Sequence, residues 1–239
     1  EIIDFRDEYS PVNVTITGGH PLLAKEKYRA ILKKLYENNL SVQILGNVHN
    51  LEEEIDFLKS VKVKGYQLSL DGTKEMHDKK RGTDSWDEVM RGIEALKEHD
   101  IPVDIMFTLS RDNMHSLTEV VDLCIKKGVR RFAFDRVVPI GSAEVNQLAL
   151  PSKEEYKKFL YDVFQFYSKH KSEGEEIYLA LKDQLWKPLL NDMGIFNPEE
   201  TDKIDNGCPV GVSGISILSD GVVVPCRRLP IKIGKLPEQ

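Results

Sequence analysis

Cysteine is scarce in this sequence, tryptophan is scarcer, and long apolar runs are absent. The 239 residues include three cysteines and two tryptophans. A small, odd number of cysteines argues against a disulfide framework. No apolar run approaches the ~20 residues that cross a bilayer, and we recognise no secretory signal peptide. The sequence therefore predicts a cytoplasmic protein with no membrane partner.

An excess of positive charge is absent as well. Asp and Glu number 39 against 33 Lys and Arg, which gives a formal net charge of −6. A nucleic-acid-binding domain usually carries a basic face, so we expect no nucleic-acid partner. Short basic runs such as Lys79-Lys80-Arg81 lie among acidic residues, which is typical of a solvated surface. Because 41% of the residues are hydrophobic, the chain can form a sizeable core.

Short β-branched runs alternate along the chain with longer amphipathic segments. Apolar runs predict strands over 12–17, 42–45, 66–70, 103–109 and 131–138. Apolar residues at helical spacing predict helices over 24–38, 51–61, 86–99 and 117–127. The strand runs are mostly apolar, which is typical of parallel strands that are buried on both faces. The alternation predicts βαβ units with right-handed crossovers, and hence an α/β fold with a parallel sheet.

Several predicted helices begin with a serine that is followed three residues later by a glutamate. This spacing occurs at Ser85, Ser116 and Ser152. It is typical of a capping box, in which the serine hydroxyl and the glutamate carboxylate each accept a hydrogen bond from a backbone N–H at the helix start. We therefore expect capped N-termini at these three residues.

The βα rhythm ends after Pro139. Helical spacing predicts one more helix over 153–169, and a short apolar run predicts a strand over 177–181. Farther on, Asp220-Gly221 lies between apolar runs, which is a strong hairpin pattern. The sequence thus predicts three parts: a βα core over 1–150, a helical or linking segment over 151–206, and a small β-rich unit over 207–239.

Glycine and polar side chains follow the C-terminal ends of the predicted strands. Parallel sheets and barrels bind ligands at this edge, so we expect these ends to form one site for a small polar ligand with a charged part. The Gly18-Gly19 pair predicts either a turn with positive φ or a ligand lying against bare backbone. The candidate residues are Gly18, Gly19, His20, Pro21, Asn47, Ser69, Asp71, Arg81, Asn113, Arg136 and Pro139.

Several of these residues also have a purely structural interpretation. Asp71 is a common residue type in turns, and Arg136 could simply pair with an acid. Cys124 lies among apolar residues of a predicted helix, where a free cysteine packs as a small hydrophobe. Cys208 and Cys226 could be ordinary hairpin cysteines.

Taken together and in order, the motifs resemble those of radical S-adenosylmethionine enzymes. Thr17-Gly18-Gly19-His20-Pro21 resembles the Gly-Gly-Glu-Pro segment of that superfamily. The superfamily's next signatures have similar counterparts in this sequence, in the same order, at 66–72, 81–83, 107–113 and 134–143. Cys208-Pro209 and the stretch 219–226 resemble the opening of the auxiliary-cluster extension called SPASM, or twitch in its short form. The resemblance covers nearly the whole chain.

This resemblance implies a fold and a cofactor site. The implied fold is a partial, TIM-like (β/α)6 barrel that here lacks its first strand, followed by a small β-hairpin domain for an auxiliary iron–sulfur cluster. The implied cofactor is S-adenosylmethionine, with Asn47, Asp71 and Asn113 among the residues near it. By resemblance its amine lies on Gly18, Gly19 and His20, with Pro21 also near the cofactor. Its carboxylate and ribose lie on Ser69 and Arg81, and its adenine lies near the backbone of Val138 and Pro139.

The resemblance also implies an activity. Such enzymes use a 5′-deoxyadenosyl radical to abstract hydrogen, and the auxiliary-cluster branch often modifies a peptide or protein substrate, as in maturation of ribosomal peptides, maturation of sulfatases or synthesis of peptide-derived cofactors. The implied electron donor is of the flavodoxin or ferredoxin type. The alternatives are an enzyme of haem or other cofactor biosynthesis, a catalytically inactive peptide-binding homologue, and a phosphate-binding barrel enzyme.

Two departures from the family pattern bear on the site. His20 stands where the family has glutamate, and a neutral imidazole accepts a hydrogen bond from an ammonium whereas an imidazolium repels it. The Cys-x₃-Cys-x₂-Cys motif that holds the catalytic 4Fe–4S cluster does not occur in these residues, and we expect it upstream of Glu1. By resemblance, Cys208 and Cys226 are ligands of the auxiliary cluster.

Overall fold

A parallel sheet whose six strands follow one another in chain order forms the larger part of the molecule. The structure, a computed structural model, describes residues 13–138, 149–195, 210 and 214–236. The strands are β1 (Val14–Ile16), β2 (Val42–Leu45), β3 (Gly65–Ser69), β4 (Val103–Leu109), β5 (Arg131–Arg136) and β6 (Tyr178–Ala180). Neighbouring strands pair in the order β1-β2-β3-β4-β5-β6, and every pair is parallel. The predicted α/β fold with a parallel sheet is confirmed.

Helices connect the strands. They are α1 (Lys25–Glu37), α2 (Leu51–Ser60), α3 (Lys74–Arg81), α4 (Ser85–Glu98), α5 (Leu117–Lys126) and α6 (Lys153–Ser172), with short 3₁₀ turns over Pro21–Ala24 and Met114–Ser116. Because parallel crossovers have one hand, strands laid in chain order place their helices on the same face of the sheet. This winding agrees with the expected (β/α)6 barrel, whose closure stays a prediction.

The two faces of the sheet differ in chemistry. On the helix face, Leu68 lies against α4, where a side chain at Gly92 would come within 3.5 Å of it, and Phe134 contacts Phe159 of α6 edge to face. The opposite face, which we call the polar face, carries Gln67, Ser69, Asp104, Met106, Thr108 and Asp135. Several of these side chains are only half-buried. The expectation of strands buried on both faces therefore holds for the helix face and only in part for the polar face.

A polar network closes the N-terminal end of the polar face. The guanidinium of Arg130 binds both carboxylate oxygens of Asp104, with Nε–Oδ1 and Nη2–Oδ2 distances of 2.9 and 2.8 Å, and donates to the carbonyl of Lys64. Gln43 donates to Asp104 from β2. Since these groups satisfy one another, charged side chains can lie at the base of the sheet without a ligand.

The capping prediction holds at one serine and fails at two. Ser152 and Glu155 form the full capping box at the start of α6. At α4 the residue before the helix is Asp84, in a left-handed conformation with φ of 63°, and the Ser85 hydroxyl donates to Asp78 instead. Ser116 donates to the carbonyl of Asn113. In both cases a neighbouring acceptor competes for the hydroxyl.

The chain divides into two compact units, Glu1–Asp183 and Gln184–Gln239. Since β6 pairs with β5, the part of segment 151–206 up to Asp183 belongs to the first unit. The second unit contains α7 (Trp186–Asp192) and an antiparallel sheet of β7 (Ser216–Ile217), β8 (Val222–Val224) and β9 (Gly234–Lys235). The predicted hairpin at Asp220-Gly221 is confirmed, with φ of 84° at the glycine.

No helix in the described part of the chain is both long enough and apolar enough to span a membrane.

Candidate functional site

The turn after β1 contains the glycine pair. Gly18 and Gly19 have φ of 93° and 48°, conformations that side chains disfavour. A Cβ at either position would meet no described atom within 4 Å. The turn interpretation is thus confirmed. The space beside both glycines is open to a ligand, so the two interpretations are compatible.

His20 follows the glycines with one ring nitrogen engaged and the other bare. Its Nε2 lies 2.7 Å from the carbonyl oxygen of His49. A carbonyl can only accept, so Nε2 carries the hydrogen and a neutral ring leaves a lone pair on Nδ1. That Nδ1 is buried and has no partner among the described residues. Burial also lowers the pKa of His20, which favours the neutral ring.

The residues around His20 fix its position. Pro21 is buried at the start of the 3₁₀ turn, where its missing N–H costs nothing. Asn47, after β2, accepts a hydrogen bond from the backbone N–H of His49 at 3.0 Å, and its carbonyl accepts one from Tyr66 at 2.7 Å. Asn47 therefore shapes the turn whose carbonyl holds His20.

Asp71 lies at the centre of a buried network after β3. One carboxylate oxygen accepts from Arg81 Nε at 2.7 Å, and the other accepts from the backbone N–H of Thr108 at 2.6 Å. The backbone N–H of Asp71 donates to Nδ1 of His77, and its carbonyl accepts from Asn113. Burial lowers the pKa of His77 to about 4, so this ring is neutral. Asp71 thus ties the ends of β3 and β4 to α3.

The structure gives Asp71 and Asn113 internal partners. Asp71 is fully buried and Asn113 nearly so. The amide of Asn113 donates to the carbonyls of Asp71 and Thr108, and its oxygen accepts from the backbone N–H of Ser110. Since these hydrogen-bonding groups are used within the protein, both residues position their neighbours.

Arg81 reaches the edge of the sheet in front of Asp71. Its guanidinium is anchored through Nε and is more than a third exposed. The terminal nitrogens have no partner within the described ranges, and they form a planar donor pair suited to a carboxylate. Ser69, the last residue of β3, lies on the polar face beside Met106 of β4.

The remaining predicted residues are spread over both units. Val138 is half-buried two residues after β5, whereas Pro139 and Cys208 lie outside the described residues. Cys226 is half-buried, and its sulfur accepts a hydrogen bond from the backbone N–H of Arg228 at 3.4 Å. Cys124 is buried as expected, and burial raises the pKa of its thiol to about 12. No group of three or more potential metal ligands occurs among the described residues.

Arg136 pairs with an acid, as its structural interpretation proposed. Its Nε lies 2.8 Å from Asp183 Oδ2, and the guanidinium lies over the ring of Tyr156. Asp183 also accepts from the Tyr156 hydroxyl at 2.7 Å. The sequence analysis did not single out Lys182 or Asp183. Their position directly after the predicted strand 177–181 was the available signal.

Comparisons with known proteins show the family to which this chain belongs. The family model described as "Radical SAM superfamily" matches residues 1–124, just over half of the chain. The sporulation killing factor maturation protein SkfB of Bacillus subtilis is 26% identical over 230 residues, covering 95% of this chain and 51% of SkfB. The AdoMet-dependent heme synthase of Methanosarcina barkeri is 25% identical over 244 residues, covering 98% and 69%.

A solved structure shares the fold. SuiB of Streptococcus suis aligns with a TM-score of 0.74 at 16% identity, covering 95% of this chain and 52% of SuiB. This chain thus spans about half the length of SkfB and of SuiB. Since the family model covers more than half of the chain and the strand-end motifs follow in order, the chain belongs to the radical S-adenosylmethionine (radical SAM) superfamily.

Proposed function

We propose that this chain forms the cofactor- and substrate-binding core of a radical SAM enzyme that modifies a peptide or protein. The observation that carries the proposal is the combination, at one edge of the sheet, of an open glycine turn, a buried unpartnered Nδ1 on His20, and an anchored guanidinium on Arg81. These groups offer, in that order, bare backbone, an acceptor and a cation.

The turn after β1 suits the amino end of S-adenosylmethionine. A ligand can approach the backbone of Gly18 and Gly19 because no side chain of the described residues fills that space. The Nδ1 lone pair of His20 then accepts a hydrogen bond from an ammonium, which supplies the acceptor that the family's glutamate would provide. Desolvation keeps the ring neutral and so avoids repulsion of the ammonium.

The end of β3 suits the carboxylate and the ribose. Arg81 keeps its terminal nitrogens for a carboxylate because Asp71 holds the guanidinium through Nε alone. Ser69 contributes a hydroxyl on the same face of the sheet. We assign the adenine to the backbone near Val138 and Pro139. When bound beside a reduced 4Fe–4S cluster, S-adenosylmethionine would supply the 5′-deoxyadenosyl radical for abstraction of a hydrogen atom from the substrate.

Two iron–sulfur sites complete the proposal. The proposed activity needs a catalytic 4Fe–4S cluster, to which a flavodoxin or ferredoxin would deliver the electron. Cys226, with Cys208, would ligate an auxiliary cluster. The hydrogen bond from the backbone N–H of Arg228 to the Cys226 sulfur supports this assignment, because such hydrogen bonds stabilise thiolate ligands of iron–sulfur clusters.

The relatives indicate two substrate classes. SkfB is named as a maturation protein, and SuiB has been solved with its precursor peptide SuiA. These names support a peptide substrate. The heme synthase is nearly as similar to this chain as SkfB is, which supports haem biosynthesis as the second candidate.

Binding of S-adenosylmethionine to the anaerobically reconstituted protein, expressed from the complete gene, tests the proposal. We expect Arg81→Met to weaken binding at least roughly tenfold, the typical effect of losing a charged hydrogen bond. Arg29→Met is a matched control, because Arg29 also binds a fully buried carboxylate, that of Glu54, through Nε at 2.7 Å and has a similar exposure. Equal affinities for the wild type and Arg81→Met would overturn the assignment, as would an equal loss in both variants.

A further inference from the structure

The C-terminal edge of the sheet arranges its charges in a consistent way. Three carboxylates there each pair with a cation that is more exposed than the carboxylate. The side-chain exposures are 0% and 37% for Asp71 and Arg81, 1% and 40% for Asp183 and Arg136, and 21% and 41% for Asp135 and Lys182. The carboxylates are therefore less accessible to solvent than the cations. This edge presents positive charge although the whole chain is acidic.

Lys182 extends over the polar face on the side away from the glycine turn. Its Nζ lies 3.6 Å from Asp135 Oδ2 of β5 and 4.0 Å from Met106 Sδ of β4. Two small residues, Ala133 and Ala180, are paired on the neighbouring strands next to Met106. Both alanines are buried, whereas Met106 is half-buried and offers an apolar surface beside the ammonium.

Arg136, at the end of β5, pairs in register with Leu109 and therefore lies on the helix face, opposite to Lys182. Asp183 engages Nε and Nη2 of its guanidinium at 2.8 and 3.4 Å. The ring of Tyr156 supports one face of the group. Arg136 is thus held on the helix face by Asp183 and Tyr156, whereas Lys182 presents its charge over the polar face.

We infer that Lys182 binds a carboxylate of the substrate over the polar face at the β5–β6 end of the sheet. The inference rests on the proposed function, which assigns the cofactor to the residues after β1 and β3 and to the backbone after β5, so that the substrate would lie over the polar face of β4 to β6. Asp135 and Met106 are positioning residues that hold the ammonium over the sheet. The carboxylate belongs to an acidic side chain of a peptide or to a tetrapyrrole acid.

Matched probes distinguish these two sources. We would titrate the reconstituted protein, saturated with S-adenosylmethionine, with the peptide N-acetyl-Gly-Glu-Gly-amide and with its Gln counterpart. Coproporphyrin III and its methyl ester form the second pair. The acid of at least one pair should bind more tightly than its neutral partner, and that pair identifies the source. The difference should shrink as ionic strength rises, because salt screens a half-exposed charge.

Lys182→Met removes the charge and keeps the length of the side chain. We expect it to weaken binding of the preferred acid roughly tenfold and to leave the neutral partner and S-adenosylmethionine unaffected. Lys59→Met is the control, because Lys59 is also half-exposed and pairs with Asp100 at 3.0 Å at the end of α2. Unchanged binding in Lys182→Met, or equal binding of acid and neutral probes to the wild type, would overturn the inference. Failure to bind S-adenosylmethionine would instead count against the proposed function.

Discussion

Replacing His77 by asparagine should make the unfolding free energy depend less on pH in the acid range. His77 is fully buried in α3, and its Nδ1 accepts the backbone N–H of Asp71 at 3.0 Å. Burial disfavours the charged ring and lowers its pKa from 6.5 to about 4. The hydrogen bond holds the segment whose carboxylate anchors Arg81, so the same residue matters for the candidate site.

The sign and size of the effect follow from proton linkage. As the pH falls below 6.5, the unfolded chain takes up a proton at His77, whereas the folded protein does not until about pH 4. Stability is therefore lost as the pH falls through this window. Between pH 7 and pH 4.5 the loss amounts to about 2 kcal/mol of unfolding free energy.

Urea unfolding at several pH values measures the effect. Asparagine can keep an acceptor for the Asp71 N–H but does not titrate in this range. We expect His77→Asn to be less stable than the wild type at pH 7, because it loses a buried ring. That difference should shrink by about 2 kcal/mol at pH 4.5. Parallel pH profiles would refute the reasoning, and so would an NMR titration that shows the His77 ring protonating near pH 6.5.

Two further predictions concern the turn after β1. Binding of S-adenosylmethionine should weaken as the pH falls through the lowered pKa of His20, because the protonated ring loses its acceptor. In a calorimetric titration, His20→Glu should reduce this pH dependence. An equally steep dependence in that variant would contradict the assignment. Gly18→Ala should cost roughly 1 kcal/mol of stability through its positive φ and should also weaken cofactor binding. Gly174→Ala is the control, since Gly174 has φ of 78° and open space where a Cβ would lie. This variant should show the same loss of stability in thermal unfolding and should bind the cofactor normally. Weaker binding in both variants would refute a local role for Gly18.

The order of strands and helices could be predicted because it rests on local patterns. β-branched runs separated by amphipathic segments are visible in the sequence, and the short strand β6 was among the predictions. The Gly18-Gly19 turn was predicted for the same reason, since positive φ favours glycine at those positions.

The chemistry of the polar face was harder to predict from the sequence. Asp104 and Asp135 lie within runs that are mostly apolar, and they pair with Arg130 and Lys182, which are distant in sequence. Pairing across the sheet determines which residues face the helices, and a sequence pattern shows this only where polar and apolar residues alternate. The partners of Asp71 could not be predicted because they come from α3 and β4.

Helix starts show the same limit on a smaller scale. Ser85 and Ser152 have the same local spacing to a glutamate, yet only Ser152 forms the capping box of the two. Asp78 lies close enough to take the Ser85 hydroxyl, and tertiary packing brings it there. A local motif therefore predicts a cap only when no other acceptor competes.

The most direct test of the account is formation of 5′-deoxyadenosine from S-adenosylmethionine by the protein expressed from the complete gene, reconstituted and reduced under anaerobic conditions. The account predicts product with the wild type and with Arg29→Met, and much less with Arg81→Met because the cofactor loses its carboxylate partner. Absence of product in the wild type, or full activity in Arg81→Met, would contradict it.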